Sequence, residues 1–104
     1  MKAFRTIMAI KIETDIDNQL DEPKKYLVYM INDDYTSWDF CIRIITTVFH
    51  KTVQEADDIT NEIHTKGKGL CGIYSFEIAE TKADQVKYQA RKEGFPMHCS
   101  VEEM

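Results

Sequence analysis

With 104 residues, 30% charged and 43% hydrophobic, the chain has the make-up of one globular domain and is too short to bury two cores. Its net charge of −5 sets it against nucleic acid and anionic membrane surfaces, while a partner presenting a free ammonium group is compatible. Three cysteines, Cys41, Cys71 and Cys99, stand far apart with no C-x-x-C pair, which argues for reduced thiols in a cytoplasmic protein and against a disulfide framework.

Lys2, Arg5 and Lys11 surround a short apolar patch at the N-terminus, whose longest apolar run, Ile7 to Ile10, is too short for a secretory signal or a bilayer span. Phe4, Ile7, Met8, Ile10 and Ile12 read as an arm more apolar than a plain tether needs. Glu13 to Lys25 is polar and acidic and reads as a linker. The division expected is therefore a flexible arm and linker over residues 1–24 and a folded domain over 25–104.

The body opens with Tyr26 to Ile31 (YLVYMI), β-branched and aromatic and hence a strand, and Asn32-Asp33-Asp34 then makes a turn. Thr36 and Asp39 fit the ends of a capping box, and Phe40, Cys41, Ile44, Ile45, Val48 and Phe49 form one face of a helix running to about His50. Val53, Ala56, Ile59 and Ile63 predict a second helix that ends at Gly67, with Lys66 and Lys68 in its last turn. Leu70 to Phe76 is a second strand in which Gly72 permits close backbone approach. Ile78, Ala79, Val86 and Ala90 mark a third helix, stopped by Gly94 and Pro96, and Met97 to Val101 makes a last strand. The order strand, helix, helix, strand, helix, strand implies an α+β two-layer sandwich, three strands covered by three helices.

The acidic corner at Asn32-Asp33-Asp34 has a plain local explanation as a turn and helix start. A binding role needs a further acceptor, and His64, near the end of the second helix, is the candidate. An imidazole nitrogen, an amide carbonyl and a carboxylate together suit an α-ammonium group, which carries three donors and a positive charge. His50 and His98 have no comparable company. Catalytic readings are weaker: Cys71 or Cys41 with His64 lacks a nucleophile motif, Cys71, His98 and Cys99 lack metal-ligand spacing, and no phosphate loop or serine elbow occurs. No enzyme activity, cofactor or metal is expected.

Ile31-Asn32-Asp33-Asp34-Tyr35-Thr36, Ile63-His64-x-x-Gly67-Lys68, Cys71-Gly72-Ile73-Tyr74, Glu77-Ile78-Ala79-Glu80-Thr81-Lys82 and Gly94-x-Pro96-Met97-x-Cys99 together resemble ClpS, the bacterial adaptor family that delivers N-degron substrates to the Clp AAA+ unfoldase and protease. The resemblance runs from about Lys25 to Glu102. It implies the three-stranded antiparallel sandwich of that family, similar to the C-terminal domain of ribosomal protein L7/L12. Nothing in the sequence argues against a monomer. It further implies that Asn32, Asp34 and His64 hold a substrate's α-amino group, with Asp33 and Thr36 beside the first peptide unit. A pocket for the first side chain, usually Phe, Tyr, Trp or Leu, would be lined by Met30, Thr36, Trp38, Cys41, Thr60, Ile63 and Met97. Glu77, Thr81 and Lys82 would dock the unfoldase N-terminal domain; the local alternative for them is a solvated helix start.

Three positions depart from the family pattern. Trp38 stands where Met is usual, at the pocket rim. Thr60 replaces a larger apolar wall residue, and Ser37 occupies a frequent Pro position. A competing function on the same fold is a protein-interaction domain, like that of the ribosomal stalk, which works through its helix surface without reading chain termini.

Overall fold

A computed structural model describes residues 23–104, so the reading of an N-terminal arm falls almost wholly outside the described residues. The elements run β1 (Tyr26–Ile31), α1 (Trp38–Val48), α2 (Val53–Lys66), β2 (Lys68–Tyr74), α3 (Phe76–Lys92) and β3 (His98–Glu103). This is the expected order. Among the described residues the strands form one antiparallel sheet ordered β2-β1-β3, with the first strand in the centre.

Alternation along β1 sets the two layers. Val28 and Met30 are fully buried and belong to the core cluster, whereas their neighbours Leu27, Tyr29 and Ile31 are only half-buried. Phe40, Cys41, Ile44 and Ile45 of α1, Ala56 and Ile63 of α2, and Ala79, Val86 and Ala90 of α3 meet in the same cluster. The small side chains at positions 79, 83 and 90 let α3 lie close to the sheet.

Several boundaries differ from expectation, each for a physical reason. The N-cap of α1 is Ser37, whose Oγ accepts from the Phe40 N–H at 3.1 Å; the Thr36 hydroxyl is already committed to Asp33. The capping box lies instead at α2, where Thr52 and Glu55 exchange their bonds at 3.1 and 2.9 Å. Helix α1 ends at Val48, with Phe49 as its C-cap, and His50 adopts a left-handed φ of 56°. Strand β2 begins and ends two residues earlier than expected, so Lys68 is its first residue. Phe76 starts α3, edge-on to Tyr26 with ring centroids 5.0 Å apart. Strand β3 continues to Glu103 because pairing with β1 carries it past Val101, and Glu102 and Glu103 meet Lys68 and Lys24 at 3.3 and 3.2 Å.

Two glycines govern how α2 meets the sheet. Gly67 takes a φ of 91° as the left-handed C-cap, its N–H donating to the Ile63 carbonyl at 3.0 Å. A Cβ on Gly69 would stand 2.7 Å from Ile63 Cγ1 and 2.8 Å from the Ile59 carbonyl, so only glycine lets α2 pack this tightly on β2. Gly72 makes room for a side chain and not for backbone, since its missing Cβ is replaced by the Tyr74 ring.

Candidate functional site

The corner after β1 and the end of α2 are joined by main chain. Ile31 pairs with Lys68, and one residue further on the Asn32 N–H donates to the Gly67 carbonyl at 2.9 Å. Asn32 is thereby tied to the C-cap of the helix that carries His64. Asn32, Asp34 and His64 are all exposed.

Asp33 is used differently. Its Oδ1 accepts from the N–H groups of Tyr35 and Thr36 at 2.8 and 2.7 Å, and its Oδ2 accepts from the Thr36 hydroxyl at 2.7 Å. Burial pushes this carboxyl up, but the Thr36 hydroxyl, the two backbone N–H groups and nearby His98 outweigh it and hold the group below its usual range. Asp33 therefore shapes the corner from inside, in an Asx-turn arrangement.

The tautomer of His64 follows from its contact. Nδ1 lies 2.9 Å from the Thr60 carbonyl, which can only accept, so Nδ1 carries a proton, and in the neutral ring Nε2 is the nitrogen left as an acceptor. The ring is also flanked by Trp38, centroids 4.9 Å apart and planes inclined at 33°. Trp38 is 40% exposed and opens α1, so its indole spans from that helix to the last turns of α2.

Most of the residues that the resemblance implies as a pocket lie in the domain core. Met30, Cys41, Ile63 and Met97 share one cluster and none is more than 1% exposed; Thr60 is fully buried and Thr36 nearly so. The Thr60 hydroxyl donates to the Ala56 carbonyl at 2.7 Å, a helix back-bond that takes its polarity away from any ligand. The Thr60 donor is thus spent inside α2.

A family model described as the ATP-dependent Clp protease adaptor protein ClpS matches residues 21–100, and the ClpS adapter of Helicobacter hepaticus is 49% identical over 92 residues, 88% of this chain and 93% of that protein. The chain belongs to the ClpS family. The Shewanella halifaxensis ClpS adapter is 46% identical over 99 residues, 95% of this chain and 97% of that one. The structure of Agrobacterium tumefaciens ClpS2 bound to L-phenylalaninamide is similar at a TM-score of 0.77 and 29% identity, across 80% of this chain and all of that one. The chain shares the ClpS fold and is a Clp protease adaptor of that family.

The start of α3 presents the other residues the ClpS resemblance picks out. Glu77 and Thr81 are exposed, the Thr81 hydroxyl donating back to the Glu77 carbonyl at 2.9 Å. Lys82 is half-buried: its Nζ donates to the Val48 carbonyl at 2.8 Å, capping the end of α1, and lies 5.4 Å from the Tyr74 ring centroid. Phe76 and Ile78 beside them are about half exposed, an apolar pair on an otherwise charged helix start.

The thiols have no activated character. Burial pushes Cys41 up to about 11 and Cys99 to about 12, and raises Cys71 further still. Among the described residues no three His, Cys, Asp or Glu side chains gather as a metal site, and no helix is long and apolar enough to cross a membrane.

Sequence reasoning did not foresee the Trp38–His64 contact or the nearness of His98 to Asp33. The first joins residues 26 positions apart. The second arises because Ile31 pairs with His98, and strand register cannot be read from local pattern.

Proposed function

We propose that this chain binds the free N-terminal residue of substrate proteins, a bulky hydrophobic Phe, Tyr, Trp or Leu, and delivers them to the Clp AAA+ unfoldase for degradation. The observation that carries this reading is the Asn32 N–H to Gly67 carbonyl bond. It fixes the Asn32–Asp34 corner to the helix end where His64 offers an acceptor nitrogen. An α-ammonium group brings three donors and a charge. The Asn32 amide carbonyl, the Asp34 carboxylate and His64 Nε2 are matching acceptors, while Asp33 and Thr36 keep the corner in shape beside the first peptide unit.

L-phenylalaninamide, the ligand in the similar ClpS2 structure, has a free α-amino group, a benzyl side chain and an amide where a peptide would continue. These are the three features a chain terminus presents. The first side chain would enter among Met30, Trp38, Cys41, Thr60, Ile63 and Met97, where full burial of such a group is worth about 1.5–3 kcal/mol. Since these walls are closed on one another, Trp38, the one substantially exposed member, must yield for a ligand to enter. Glu77, Thr81 and Lys82, with the exposed Phe76 and Ile78, would meet the N-terminal domain of the unfoldase, the adaptor acting as a cytoplasmic monomer.

Titration with one peptide bearing N-terminal Phe, free and N-acetylated, tests the reading. The free peptide is expected to bind and the acetylated one to lose most of its affinity, because acetylation removes the charge and two donors. Equal affinity for the two would overturn it and favour an interaction domain that works through its helices alone.

A further inference from the structure

The two edges of the sheet differ in how they are protected. Strand β3 carries His98, Glu102 and Glu103, and its two glutamates meet Lys68 and Lys24 at 3.3 and 3.2 Å. Charges of this kind discourage a further strand from adding. Strand β2 reads KGLCGIY, with a single charge, at its first residue. Among the described residues only β1 pairs with it, so its other side presents main-chain donors and acceptors. A groove of about 480 Å³ lies between β2 and α2. Ile59, Leu70, Gly72 and Ile73 line it, with Glu55 and Asp58 against one cation, Lys51. Ile73 is 43% exposed, and Leu70, opposite Tyr29, is half-buried.

Such a groove suits an extended segment that brings main-chain groups to pair, apolar side chains and positive charge. Residues 4–12 of this chain, FRTIMAIKI, have that chemistry, with two cations, no acid and several β-branched residues. We infer that they add to the free edge of β2 as a fourth strand. In a strand, Phe4, Met8, Ile10 and Ile12 share one face and Arg5 and Lys11 the other. The apolar face then continues the row of Leu70 and Ile73, and the basic face turns toward Glu55 and Asp58. The point where the chain enters the domain favours this occupant. Tyr26, the first residue of β1, is paired with Tyr74, the last of β2, so the preceding residues leave at the Ile73 end of the groove. Residues 13–25 span about 43–47 Å when extended, against about 24 Å for β2, so the segment reaches the edge in either direction. Tethering also gives it an effective concentration of about millimolar. A second copy is the poorer occupant, because β2 pairing with β2 would set one Glu55 and Asp58 pair against another.

Amide hydrogen exchange on the full chain, read residue by residue by NMR, tests this in the wild type, Met8→Pro and Asp58→Lys. In the wild type, the β2 amides that do not donate to β1 are expected to be protected, as are alternate amides of residues 4–12. Proline at position 8 removes a donor and interrupts the pairing. The same β2 amides should then exchange roughly 2- to 13-fold faster, while amides within α1 and α3 keep their rates. Asp58→Lys should speed them too, since it turns a counter-charge for Arg5 and Lys11 into a repulsion. Equal β2 rates in the wild type and Met8→Pro overturn the inference. Rates unchanged in Asp58→Lys place the segment elsewhere and overturn it as well. Edge protection that rises with protein concentration marks a second copy as the occupant, which also overturns it.

Discussion

The polar corner and the apolar floor beneath it are built by opposite means. Asn32, Asp34 and His64 stand in solvent on a short loop and a helix end, positioned by a few hydrogen bonds: Asn32 to Gly67, Asp33 to its two neighbours, His64 to Thr60. Met30, Cys41, Ile63 and Met97 are held by the packing that holds the whole domain. The consequence is that rim residues can change without disturbing the fold, whereas floor residues cannot. A site made this way divides its labour. On the proposed function, recognition of a terminus would rest on the replaceable part, and the shape offered to a side chain on the core.

Substitutions can break that division in graded steps. Ile63→Ala, in the floor, is expected to cost about 2–5 kcal/mol of stability, read as a lowered urea midpoint, because it opens a cavity beside Gly69 and Met30. Asp34→Ala or His64→Ala, in the rim, is expected to leave that midpoint within about 0.5 kcal/mol while weakening a free-amine Phe peptide by ~1.5–3 kcal/mol, roughly 10- to 150-fold. Unfolding in either rim variant would show that the corner is structural. Asp33→Ala falls between the two. It strands the Tyr35 and Thr36 N–H groups and should cost about 1–2 kcal/mol of stability together with part of the binding.

Acid provides a further contrast. Glu93 accepts both Arg43 guanidinium nitrogens at 2.7 Å, and that bond, with Gln89, brings its pKa down to about 2. A depressed folded value means the unfolded chain takes up the proton first. The contribution is therefore complete above the ordinary carboxylate range and is lost as pH falls toward about 2. Asp33 titrates in the same direction. Denaturation midpoints measured down the pH scale should thus fall, less steeply in Glu93→Gln, and an identical slope in that variant would refute the assignment. The smallest effect is expected for Thr60→Val, below about 1 kcal/mol in stability and in peptide affinity, because the hydroxyl it removes is spent on Ala56.

The same contrast explains what could be read from the sequence. The helix layer was legible because the helices repeat their apolar faces at their own period, which placed Phe40, Ile44, Ile63 and Val86 inward. Strand β1 is apolar or aromatic throughout, so that Val28 and Met30 are the ones facing the core could not be read from YLVYMI. The Asn32–Asp34 cluster and His64 could be named as partners on chemistry, but nothing local says that Gly67 holds them together; that depends on register between β1 and β2. Thr36 was misread as a cap because Thr-x-x-Asp looks like one, while its hydroxyl is claimed by Asp33, a competition visible only in three dimensions. Thr52-x-x-Glu55 carries the fuller form of the motif and could have been found by the same rule. Phe76 resembled a strand end by propensity, yet it is used as the first residue of α3 against Tyr26.

The most direct test of the central claim, that the corner and His64 read a free terminus, is the loss of affinity on acetylating the Phe peptide, compared between wild type and Asp34→Ala. A large loss is expected in the wild type and a much smaller one in the variant, which lacks the carboxylate proposed to meet the ammonium. The same loss in both proteins would mean that the amino group is sensed elsewhere, and would contradict it.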